Sequence, residues 1–131
     1  MRILDSELGK LLCLALAGAI GTLARYWISG GVNRAAGIGF PWGTVAVNLI
    51  GCFLFGLIWS LAEERAVLSA NARLILLVGF MGALTTFSSF AGDTMGLLRD
   101  SQYLTAFANI TLQNIAGLTL LWLGIVTGRL V

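Results

Sequence analysis

Two stretches of this chain carry no charge at all, Ala35 to Ala62 and Ser101 to Gly128. A membrane helix needs about 20 largely apolar residues to cross about 30 Å of hydrocarbon. The chain holds four runs of that kind, at about residues 8–29, 42–62, 73–98 and 104–127. Hydrophobic residues make up 58% of the 131 and charged ones only 11%. A soluble domain carries about 25% charged residues, so this chain cannot clothe a surface that faces water. The expectation is an all-α membrane protein, one integral domain over residues 1–131, with four transmembrane helices set in a lipid bilayer.

The connections are short. They are a glycine-rich loop with Arg34 and Pro41, a charged turn around Glu63, Glu64 and Arg65, and a tight turn at Arg99 and Asp100. Tyr26, Trp27, Trp42, Trp59, Tyr103 and Trp122 fall near span ends, as interfacial aromatic belts do. Arg2 and Lys10 precede the first run, but Asp5 and Glu7 interrupt the basic region and no small-residue cleavage motif closes it, so this segment is expected to be retained. With four crossings, Arg2, Lys10, Arg65, Arg73 and Arg129 share one side, and Arg25, Arg34 and Arg99 the other. That bias is weak, and it is compatible with insertion in one orientation or in both.

The same composition excludes several functions. A net charge of +2, thinly scattered, gives no basis for binding nucleic acid. The chain lacks histidine, the commonest general base and metal ligand. Cys13 and Cys52 lie in apolar runs and read as inert thiols. No nucleophile motif or pair of acids at depth suggests an enzyme.

Polar side chains at membrane depth cost free energy unless paired or wetted. Asn48 lies mid-run in GTVAVNLIGC and would either tie helices together or donate to an anion in a pore. Arg25, in GTLARYW, would snorkel, pair with another helix or make a vestibule positive. Asn109, Gln113 and Gly117 recur every fourth residue, which aligns them on one helical face. They suit a wet path or an interhelical seam. Gly92 with Gly96 and Gly124 with Gly128 are small-xxx-small pairs that suit close helix packing.

The most unusual stretch is GFMGALTTFSSF, Gly79 to Phe90. Gly79, Gly82, Thr85, Thr86, Ser88 and Ser89 are weak helix formers or hydroxyls that compete for backbone bonds. They predict a break near Gly82–Thr86. Freed carbonyls at that depth are tolerated only if buried in protein or bound to ions or water. Without carboxylates, they suit a hard monovalent cation such as Na⁺, or nothing. Phe87 and Phe90 share a face just beyond, and ring edges are electropositive. They are either core or the lining of an anion path.

Together these segments resemble the Fluc (CrcB) family of small fluoride channels over nearly the whole chain. GFMGALTTFSSF is similar to the family pattern G-F-x-G-[GA]-x-T-T-F-S-[ST]-F, with GAIGTLARY and PWGTVAVNLIG in support. The resemblance implies a passive fluoride channel in the inner (plasma) membrane of a prokaryote, built as an antiparallel, dual-topology homodimer with two pores. It implies a structural Na⁺ at the dimer centre, held by the backbone carbonyls of Gly82 and Thr85. It places Asn48, Phe87 and Phe90 along the fluoride path, with Thr86 and Ser88 beside them. Asn109 and Gln113 fall in the polar track of the fourth span, Arg25 near a vestibule, and Asp93 at an acidic position of unassigned role.

Two rivals remain. A small multidrug-type four-helix exporter needs a titratable carboxylate in the membrane, yet no Asp or Glu lies between Glu7 and Glu63, and only Asp93 approaches a span. A non-transporting assembly subunit would pass no ion.

Overall fold

The computed structural model describes residues 6–131, and every regular element among them is helical. Arg2 and Asp5 lie outside the described residues. Helix α1 spans Glu7–Ala36, capped by Ser6, whose hydroxyl accepts from Gly9 N at 3.1 Å. It continues through Gly30, Gly31 and Arg34, past the loop boundary expected from the glycines. Gly37 ends it, with φ 84° and its N–H on the Asn33 carbonyl. Arg34 therefore sits in the last turn of α1, where a cation favours the helix C-terminus.

Helix α2, Trp42–Trp59, passes into a π-helical turn at Ser60–Glu64 that takes in Glu63 and Glu64. The third span comprises α3, Ala70–Leu74, a π-helical stretch at Ile75–Met81 and the short α4, Gly82–Leu84. After the extended pair Thr85–Thr86 comes α5, Phe87–Arg99. Helix α6, Tyr103–Leu130, is the fourth. Taken with their π-helical and extended parts, the four spans are each long and apolar enough to cross a membrane.

Glycine sets how closely the spans approach. A Cβ at Gly56 of α2 would overlap the Leu121 carbonyl of α6, and one at Gly124 would overlap the Phe53 carbonyl in return. A methyl on Gly21 of α1 would likewise strike the Phe80 carbonyl of the third span. Gly128 packs against Ser60, so that half of the small-xxx-small pattern serves packing within the chain. Gly92 and Gly96 have open space beside them.

The apolar core is small: Leu77, Met81 and Leu84, with Leu54, Phe55 and Phe80 packed against it. Leu8, Leu16, Leu118 and Trp122 stay exposed, a surface suited to hydrocarbon. One end of the bundle is tied by ion pairs between side chains. Arg129 meets both carboxylate oxygens of Glu64 at 2.7 Å, Ser60 Oγ donates to Glu64, and Arg73 pairs with Glu63.

Candidate functional site

The site forms where the third span leaves helical geometry. Thr85 (φ −86°, ψ 160°) and Thr86 (φ −152°, ψ 109°) are extended. Each hydroxyl has local work. Thr85 Oγ1 donates to the Met81 carbonyl at 3.0 Å. Thr86 Oγ1 caps α5 by accepting from Ser89 N at 3.1 Å, and it also contacts the Ser89 and Ser88 hydroxyls at 2.9 and 3.3 Å. Gly51 of α2 makes room for this backbone, since a Cβ there would overlap the Thr85 side chain.

Asn48, also on α2, grips Thr86 by both backbone groups. Its Oδ1 accepts from Thr86 N at 2.8 Å, and its Nδ2 donates to Thr86 O at 3.1 Å. The same Nδ2 donates to Gln113 Oε1 at 2.7 Å. Gln113 Nε2 donates to Asn109 Oδ1 at 2.9 Å, and Asn109 Nδ2 to Thr94 Oγ1 at 2.9 Å. Thr94 Oγ1 closes the series on the Phe90 carbonyl at 2.8 Å. Four side chains on α2, α5 and α6, anchored on the backbone of Thr86 and Phe90, form one polar relay. Pairing of this kind offsets much of the cost of holding polar side chains at membrane depth.

In front of the relay lies a cavity of about 350 Å³, bordered by Asn48, Thr85, Thr86, Phe87, Phe90, Gln113 and Asn114 as well as Gly51, Cys52 and Phe55. The Phe87 and Phe90 rings are 5.5 Å apart, tilted by 53°. Phe87 is 79% exposed, which a packed core aromatic would not be. Asn109 is fully buried behind the cavity and does not border it. Ser88 is exposed beside the cap. Arg25 reaches in from α1, with a long bond of 3.4 Å from Nη1 to the Thr85 carbonyl.

Among the described residues, no group of three or more His, Cys, Asp or Glu could hold a metal. Backbone oxygens are another matter. Thr86 N–H bonds to Asn48 rather than to Gly82, so the Gly82 carbonyl lacks the usual helical donor. The Thr85 carbonyl meets a single long hydrogen bond from Arg25. Two neutral, hard oxygens three residues apart fit a hard monovalent cation in donor chemistry.

Residues 12–125 match the family described as CrcB-like protein, Camphor Resistance (CrcB). The chain belongs to the CrcB family. It is 54% identical over 124 residues to a fluoride-specific ion channel FluC of Solidesulfovibrio magneticus, covering 95% of this chain and 99% of that protein. A protein of the same name in Nitrosococcus oceani is 51% identical over 93% of this chain and 98% of the relative. Another, in Nitratidesulfovibrio vulgaris, is 49% identical over the same shares.

This CrcB chain also uses residues that its sequence did not single out. Thr94 is the buried link between Asn109 and Phe90. It lies on the face of Thr86 and Phe90 at four-residue steps, and that periodicity was the available signal. Thr44 donates to Asp93 Oδ2 at 2.6 Å, which engages the acid at a second cavity of about 350 Å³ bordered by Asn33, Pro41 and Gly96.

Proposed function

We propose that the protein is a fluoride-selective channel, a multi-pass protein of the prokaryotic plasma membrane. It lets fluoride leave the cytoplasm passively and carries out no enzymatic reaction. The observation that carries this reading is near-full-length identity of about half to proteins named fluoride-specific ion channels. The cavity's chemistry supports it. Aromatic rings border it together with amides and hydroxyls, and no carboxylate borders it to repel an anion.

In this reading the channel is an antiparallel homodimer of dual topology, and its third span acts as a broken helix whose free carbonyls are functional. The fluoride path runs along Phe87, Phe90, Asn48 and Gln113, with Thr86 and Ser88 at the cap of α5 and Asn109 behind them. Gly82 and Thr85 of both copies would hold Na⁺ by their carbonyls. The ion would neutralise clustered oxygen dipoles and join the two chains. Arg25, which reaches the Thr85 carbonyl from α1, adds positive potential that would draw an anion. The test is efflux from liposomes containing the purified protein. Fluoride is expected to leave rapidly and chloride to stay. Equal loss of both ions, or of neither, would overturn the reading.

A further inference from the structure

Helix α5 carries both phenylalanines, yet apolar packing within the chain scarcely holds it. Of its residues only Thr94 is buried. None of them belongs to the core of Leu77, Met81 and Leu84 or to the side chains packed on it. What fastens α5 is polar. Asn48 grips Thr86 at the N-cap. One turn past Phe90, two neighbouring side chains reach two different helices. Asp93 Oδ2 accepts from Thr44 Oγ1 of α2 at 2.6 Å, and Thr94 Oγ1 accepts from Asn109 Nδ2 of α6 at 2.9 Å.

Successive residues of an α-helix point about 100° apart. A helix tethered at one residue is free to roll about its axis. Tethers at two adjacent residues, drawn to separate helices, fix the roll. Phe90 lies three residues before Asp93 and four before Thr94, so it shares their face. The roll of α5 therefore decides where its ring stands against the cavity that it borders. On α2, Thr44 lies four residues before Asn48, one turn along the same face. That face holds the extended pair at one level and α5 at the next.

The α2 tether has no substitute. Thr44 is the one hydrogen-bond partner of the Asp93 side chain among the described residues, and Asp93 makes no ion pair there. A Cβ at Gly92 or Gly96 would meet nothing, so packing beside Asp93 cannot replace the bond. A hydrogen bond to a carboxylate is shorter and about twice as strong as a neutral one. Asp93 does not border the first cavity, so its charge is not placed to touch an ion held in that cavity.

We infer that Asp93 and Thr44 are positioning residues that set the roll of α5, and through it the stance of Phe90, without themselves meeting the anion. The flux expected below rests on the channel reading above, whereas the position of the ring can be read without it.

Two measurements on the purified protein test this: fluoride efflux from liposomes, and fluorine NMR with Phe90 labelled as para-fluorophenylalanine. Thr44→Val keeps the shape and removes the donor. It leaves a carboxylate unpaired, so efflux is expected to fall roughly tenfold or more, with the ring resonance shifted or broadened. Thr44→Ser keeps the hydroxyl and is expected to stay within about twofold of wild-type efflux, with the resonance unmoved. Asp93→Asn keeps an acceptor without the charge and is expected to lose less efflux than Thr44→Val. Should Thr44→Val not fold, Thr44→Ala takes its place with the same expectation. The inference falls if a folded variant without the Thr44 hydroxyl passes fluoride at the wild-type rate, or if the resonance stays put while efflux falls. It falls as well if Asp93→Asn costs more than loss of the hydroxyl, because the charge itself would then act on the anion. Wild-type liposomes that pass no fluoride would overturn the channel reading, and the resonance would still decide what sets the roll of α5.

Discussion

Phe87 and Phe90 are where a packing role and a conducting role diverge most at the scale of one residue. Their rings form a tilted pair at 5.5 Å, and both border the cavity. Replacing either by isoleucine keeps most of the bulk and removes the polarised edge. A position that only packs tolerates such a swap at a cost below about 1.5 kcal/mol. Phe87→Ile and Phe90→Ile are therefore expected to yield folded protein by size-exclusion chromatography while fluoride efflux falls steeply. Normal efflux from either folded variant would return that ring to a packing role. The two phenylalanines were legible because their three-residue spacing puts them on one face beside a run of hydroxyls. Thr94 was not. Its four-residue step from Phe90 puts it on that face, but its partner Asn109 lies fifteen residues away on another helix, which spacing does not name.

At the scale of the element, the spans could be read from sequence because hydrocarbon thickness sets their length. The end of α1 could not. Gly30, Gly31 and Arg34 resemble loop composition, yet the helix runs on to Ala36 because Gly37 supplies the left-handed residue that stops it. Nor does a glycine announce which neighbour it accommodates. Gly124 and Gly128 were equal to Gly92 and Gly96 as patterns, but only the first two face a backbone. Gly56→Ala is expected to force α2 from α6 and destabilise the protein by about 1–3 kcal/mol, as inserting a methyl into a packed contact does. Gly18→Ala, where the nearest atom is the Gly79 carbonyl at 3.8 Å, is expected to stay within about 0.5 kcal/mol. Melting temperatures of the two variants in detergent check the contrast. Similar values would show that α2 and α6 can separate at little cost.

At the scale of the whole molecule, the proposed second copy and the proposed ion each carry a prediction. Five basic residues on one side against three on the other leave orientation poorly specified. A C-terminal tag is expected to be accessible from both sides of the membrane, and a uniform orientation would exclude the antiparallel dimer. Adding two or three lysines to one side is expected to drive insertion one way and to abolish efflux, because loop Lys and Arg set topology. Replacing Na⁺ by a large organic cation is expected to weaken dimer recovery and flux together, whereas unchanged dimer and flux after thorough Na⁺ removal would leave the Gly82 and Thr85 carbonyls without that role. The cavity's lining has a further consequence. It is built from amides, hydroxyls, aromatic rings, glycine, leucine and one thiol. The thiol apart, none of these groups gains or loses a proton between about pH 4 and pH 8. Acid surroundings therefore leave the wall of the path as it is, and any effect of acidity through that wall falls to the ion, whose conjugate acid is weak and uncharged.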